Sequence, residues 1–201
     1  MVGDPLVTHS GEQDYNVLNM PGYRQPQHAS ECIYYTLWIA TNYVANSYPD
    51  KSVRDATNPP KLDLIKQYID TGDIGWEKPR QDPLTELARE ISSVKLNLQC
   101  RYGGHPQDLD EFVQDGLENL LPTIIWIDKV LLKQGDRGTG PLHAVVVSGV
   151  GDSHITIEDP LVEGTTTFEI DNLEEAWDPE YNTAIEVSLS NTFEPTRREE
   201  L

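Results

Sequence analysis

The chain has 201 residues, 37% hydrophobic and 24% charged, which suits one domain with a sizeable core. Its net charge of −19, from 34 acidic against 15 basic side chains, argues against nucleic acid and against anionic membrane surfaces, since both need Lys and Arg. The acids are spread along the chain, which reads as a solvated acidic surface; its self-repulsion is relieved by salt and points to a salt-loving source, with an acidic mesophilic protein as the alternative.

The opening MVGDPLVTHSGEQDYN has neither a basic patch nor an apolar run, so no signal peptide is expected, and residues 1–17 read as a loosely ordered segment. No stretch is long and apolar enough for a membrane span, and the expected location is the cytoplasm. There the two cysteines, Cys32 and Cys100, stay reduced. A helix is predicted from Ser30, a good N-cap, to about Asn46, with Ile33, Leu37, Ala40 and Val44 facing the core. A second covers about Leu62 to Ile69. A third lies in DPLTELAREI, with Leu84, Leu87, Ala88 and Ile91 apolar and Asp82 as its cap. VKLNLQCRY alternates like a strand, and DLDEFVQDGLENL supplies a fourth helix with Phe112, Leu117 and Leu120 inward.

The second half reads differently. TIIWID, HAVVVSGV, HITIED, TTTFEI and TAIEVSL are strand patterns, so helices dominate the first half and an antiparallel sheet the second. That is the α+β pattern. The glycine-rich loop LLKQGDRGTGPL lacks the spacing of a phosphate cradle, and residues 191–201 read as a disordered tail.

Three residues carry the chemistry. Cys32 falls in the first turn of the first helix, where unpaired backbone N–H groups and the helix dipole favour a thiolate. A small buried hydrophobe is the plainer reading of the same residue. His143 opens one strand, and Asp159 closes the next, sixteen residues on. A hairpin about Gly151-Asp152 brings them to one end of the sheet, where the carboxylate can set the imidazole tautomer. A metal held by His28, Cys32 and His143 is a weaker alternative, having no spacing signature. Cys100 reads as a strand residue, His154 as a surface residue and His105 as a loop residue. Tyr34, Tyr35, Trp38 and Tyr43 read as core and groove wall.

Taken in order, Gln25, Cys32 with its helix, and GPLHAVVVSGVGDSHITIEDPL with His143 and Asp159 resemble the papain-like cysteine peptidases, within them the C39-like branch that includes bacteriocin-leader peptidases. DLDEFVQDGLENLLPTIIWID and TTTFEIDNLEEAW resemble the flanking segments of that branch, and the resemblance spans roughly residues 18–188 within a single domain of residues 18–190. It implies a papain-like fold with Cys32 as nucleophile, His143 as general base and then acid, Asp159 as orienting residue and Gln25 as oxyanion donor. The family glutamine usually stands six positions before the cysteine, whereas Gln25 is seven before it and Gln27 five, so both stay in view. Glycine often follows the family's cysteine; here Ile33 does, which would narrow the cleft, and Glu31 opposes a thiolate unless it turns outward. The segment near Trp76 and the loop ending at Leu142 would wall the groove.

The function implied is a cysteine peptidase acting on a peptide or isopeptide bond, with no metal or organic cofactor. A substrate ending in Gly-Gly is the first guess, and in a haloarchaeal source ubiquitin-like modifiers would be candidates. An acyltransferase on the same fold, or an inactive module that binds a peptide or partner protein, are the alternatives. Oligomeric state is not legible.

Overall fold

The computed structural model describes residues 6–9, 15–18, 32–46, 62–70, 80–90, 96–102, 109, 113, 121–128, 142–162, 165–177 and 183–189. Helices α1 (Cys32–Asn46), α2 (Leu62–Asp70) and α3 (Gln81–Glu90) precede most of the sheet. The later strands are β3 (Leu96–Tyr102), β4 (Thr123–Asp128), β5 (Leu142–Val150), β6 (His154–Glu158), β7 (Thr165–Glu169) and β8 (Thr183–Leu189). The α+β class and the antiparallel sheet agree with the sequence pattern.

Two further strands, β1 (Leu6–His9) and β2 (Tyr15–Leu18), lie in the segment expected to be loose. They pair with each other, and β2 pairs with the end of β5 through Asn16↔Val150 and Val17↔Gly149. Four-residue strands interrupted by polar residues give little local signal, and the β5 partner of β2 stands more than 130 positions away. The sheet runs β1-β2-β5-β4-β8-β3, with β6 and then β7 added to β5, and every pairing is antiparallel.

The centre is β4 and β5, whose residues are almost all buried, as expected of strands covered on both faces. Helix α1 packs across β5, β8 and β4. The sequence suggests one core-facing stripe on this helix, but only Tyr34 and Trp38 among its residues 32–44 stay half-buried, and the rest are buried. A helix apolar nearly all round is a central helix. Its polar side chains turn inward: Thr36 bonds to the Ile33 carbonyl at 3.1 Å, Thr41 to that of Leu37 at 2.6 Å and Asn42 to that of Trp38 at 2.8 Å. The two threonine hydroxyls and the Asn42 NH2 group thus donate to carbonyls of their own helix. On the side facing α2, the Lys66 ammonium stands 5.9 Å from the Tyr34 ring centre and 5.8 Å from that of Tyr35.

Helix α3 buries Leu84, Leu87 and Ala88 as predicted. It begins one residue before the expected cap, so Asp82 lies within the first turn, where its charge suits the helix dipole. The Gln81 side chain instead reaches β3, donating to the Leu98 carbonyl at 2.8 Å and accepting from the Cys100 N–H at 2.8 Å. The amide thus mimics the peptide of a neighbouring strand and covers the side of β3 away from β8.

The segment DNLEEA, to which the sequence pattern assigned no element, is a fourth helix among the described residues, α4 (Ile170–Ala176), burying Leu173 and Ala176. Its Glu174 carboxylate accepts the Leu109 N–H at 3.2 Å, joining it to the segment where Leu109 and Val113 are buried. Phe112, Leu117, Leu120 and the cap Ser30 lie outside the described residues.

Candidate active site

The site is built on the β5–β6 hairpin. β5 ends at Val150, the Gly151 N–H donates to the His154 carbonyl at 2.8 Å, and β6 returns antiparallel. A shift in register between Val147 and Gly149 leaves Ser148 as the extra residue, with its hydroxyl on the Thr156 carbonyl at 3.2 Å. Beyond it, Val146 pairs with Glu158, so the same register carries Asp159 level with Val145. Residues two apart on a strand share a face and stand about 7 Å apart, which brings Asp159 within side-chain reach of His143.

The side chains meet: His143 Nε2 and Asp159 Oδ1 are 2.7 Å apart. Asp159 is fixed from behind as well. Its Oδ1 accepts the Leu161 N–H at 2.8 Å and its carbonyl accepts the Val162 N–H at 3.0 Å, a turn with Pro160 in the position proline favours. A carboxylate at Nε2 favours the tautomer with the proton there and leaves Nδ1 as the basic nitrogen.

Cys32 arrives from the other side, as the first residue of α1. Its Sγ accepts the N–H of Ala144, the residue after His143, at 3.4 Å. The thiol therefore lies against the strand that carries the imidazole. An N–H aimed at sulfur is met better by a thiolate than by a thiol, and the helix start favours the same form. Cys32 is 4% exposed and His143 5%, so the group is largely withdrawn from solvent. Among the described residues no set of His, Cys, Asp and Glu could hold a metal ion.

The other residues singled out from sequence fall as follows. Ile33 is buried in the core cluster. Leu142 is half-buried at the start of β5 and pairs with Asp128, so strand alternation puts it on the face away from His143. Gln25, Gln27, His28, Trp76 and His105 lie outside the described residues, as does the loop before Leu142. Cys100 is on β3 and half-buried, and His154 opens β6 with its Nδ1 2.8 Å from the Ser153 hydroxyl.

One residue beside the site escaped the sequence reading, which gave Asp159 a role in ITIEDP but none to Glu158 before it. Glu158, the last residue of β6, is buried, and that burial pushes its carboxyl up from 4.5 to about 7. The signal available was position: in a strand whose Ile155 and Ile157 face one side, the alternate face of a two-sided sheet is also interior.

No family model matches the sequence, and no curated protein does either. Among solved structures, a crystal structure from Bacillus anthracis, itself only provisionally described as a C39-like peptidase, superposes with a TM-score of 0.57. The match covers 92% of this chain and 98% of that one at 15% identity. Likeness at that identity establishes a shared fold and transfers no residue roles.

Proposed function

We propose that this chain is a cysteine peptidase in which Cys32, His143 and Asp159 act together on a peptide or isopeptide bond. The observation that carries the reading is the seat of His143, 2.7 Å from Asp159 through Nε2 and on the strand whose next N–H meets Cys32 Sγ at 3.4 Å. It is supported by the fold shared with a C39-like protein.

The chemistry follows from the groups. The Cys32 thiolate attacks the substrate carbonyl, and the oxyanion is received by the Cys32 N–H at the helix start and by the Gln25 amide. His143, charged in this state and steadied by Asp159, gives its proton to the leaving amine. Water, deprotonated by His143, then releases the thioester and regenerates the thiolate. Every proton removed in one half-reaction is returned in the other, so the scheme asks for no cofactor. A peptide ending in Gly-Gly is the first substrate to try.

The test is thiol reactivity. The protein, kept in concentrated KCl, is treated briefly with iodoacetamide at mildly acidic pH and the label located by mass spectrometry. Selective labelling of Cys32 over Cys100, slowed in His143→Ala, is the expected result. A Cys32 no faster than an ordinary thiol and indifferent to His143 would end the catalytic reading.

A further inference from the structure

Glu158 stands one peptide bond from Asp159, yet it takes no part in the chemistry above. It is 6% exposed, and among the described residues its carboxyl makes no hydrogen bond or ion pair. Its backbone is held in the sheet on both sides, against Val146 of β5 and Thr165 of β7. The elements packed against β6 are β5, β7 and α4. They bring His143 on β5, Glu169 on β7 and Asp171, Glu174 and Glu175 on α4; β6 itself adds His154, whose Nδ1 meets Ser153, and Asp159 follows. None of these elements carries a Lys or Arg, nor does any position from 138 to 196.

Among the described residues a carboxylate in such a place meets neither a donor nor a counter-charge; its strand partners are Val146 and Thr165, and the next residue in sequence is an acid. Protonated, Glu158 is a neutral side chain that the sheet can cover. Ionised, it bears a desolvation cost that no partner offsets among the described residues. The cheapest relief is at the strand end, where the last rung of β6 can open and let the side chain turn to water. That same rung leads directly into the turn that seats Asp159 against His143.

We propose that Glu158 is a protonation-dependent positioning residue: in its neutral form it keeps the end of β6 closed and Asp159 on His143, and its ionisation loosens that contact. Function at this site therefore falls as the pH rises past the point where Glu158 loses its proton, which burial has moved up to about 7. The consequence for activity rests on the peptidase reading above, whereas the effect on the His143–Asp159 contact does not.

The experiment follows both. In protein with ¹⁵N-labelled histidine, held in concentrated KCl, the downfield proton of His143 Nε2–H is recorded from pH 5.5 to 9, with His143→Ala supplying the assignment. Cys32 alkylation by iodoacetamide is measured over the same range. Wild type is expected to lose the resonance with a midpoint near 7, while Glu158→Gln and Glu158→Met keep it to at least about one pH unit higher. At pH 8.5 the neutral variants should alkylate Cys32 about twofold faster than wild type, since an ordinary thiol is already about half ionised there, and the advantage should vanish as the pH falls below 7. Two variants are used because Gln leaves a buried amide and Met does not, so a folding failure in one leaves the other decisive. Loss of the resonance at the same pH in wild type and variants overturns the proposal. So does its persistence in wild type to pH 9, or its absence from both variants at every pH. If the resonance behaves as expected but Cys32 is never faster than an ordinary thiol, the positioning role stands and the peptidase reading fails.

Discussion

Asp159 and Glu158 are consecutive carboxylic acids at the end of one strand, and their surroundings are opposite. Asp159 meets an imidazole at 2.7 Å and a backbone N–H at 2.8 Å through a single oxygen. Glu158, more deeply covered, meets no donor among the described residues, and burial alone pushes its carboxyl up to about 7. Composition cannot separate the two. What separates them is the alternation of a strand, which points successive side chains to opposite faces: one face carries the histidine, the other offers no cation among the described residues. A buried charge is tolerable where it is paired and costly where it is not.

The comparison can be broken first at its partnered side. His143→Ala should slow Cys32 alkylation at pH 6 by on the order of a thousandfold, read by mass spectrometry, if the imidazole holds the thiolate. An unchanged rate would mean that Asp159 and His143 form a structural pair. Next in size is the unpartnered side. A carboxyl whose value is raised on folding favours the folded state fully below pH 4.5 and loses that contribution as the pH rises towards 7, after which stability stays level. Glu158→Gln cannot ionise, so relative to its own value at pH 4.5 it should retain about 3 kcal/mol more than wild type at pH 8 in urea titrations. Parallel pH profiles for the two proteins would show that Glu158 finds a partner in solution.

Smaller effects sharpen the point that polar groups here are satisfied one by one. Gln81→Ala removes both bonds to the far side of β3 and should cost about 1–2 kcal/mol, with faster amide exchange at Cys100. Lys66→Met keeps the aliphatic stem and removes the charge over Tyr34 and Tyr35, for an expected loss of about 0.5–1 kcal/mol by the same titration. If that loss is absent at high salt and in dilute buffer alike, the lysine contributes only its stem.

Much of this architecture could be read locally. The apolar runs TIIWID and HAVVVSGV are buried through their length because β-branched residues in short runs suit a sheet covered on both faces. The spacing of His143 and Asp159 across a short turn was enough to predict that they approach, since hairpin register is a local property. Helix α3 showed its buried face in Leu84, Leu87 and Ala88. The pairing of β2 with β5 was not legible, because neither four-residue strand announces a partner so far along the chain. The aromatics of α1 were legible as core and groove wall, but the burial of Thr36, Thr41 and Asn42 was not, since short polar side chains read as surface until the helix is packed.

By itself, then, the sequence determined the class of the fold, the strands that form its centre, and the three residues that could meet. Periodicity and turn chemistry are short-range, and they act before any tertiary contact. The tertiary structure alone decided that Cys32 Sγ lies against the N–H of Ala144, 112 positions away, and that Glu158 is buried next to Asp159 with no counter-charge among the described residues. Both depend on which surfaces are brought together, and the free energy of a thiol or a carboxyl is set by those surroundings rather than by its neighbours in the chain.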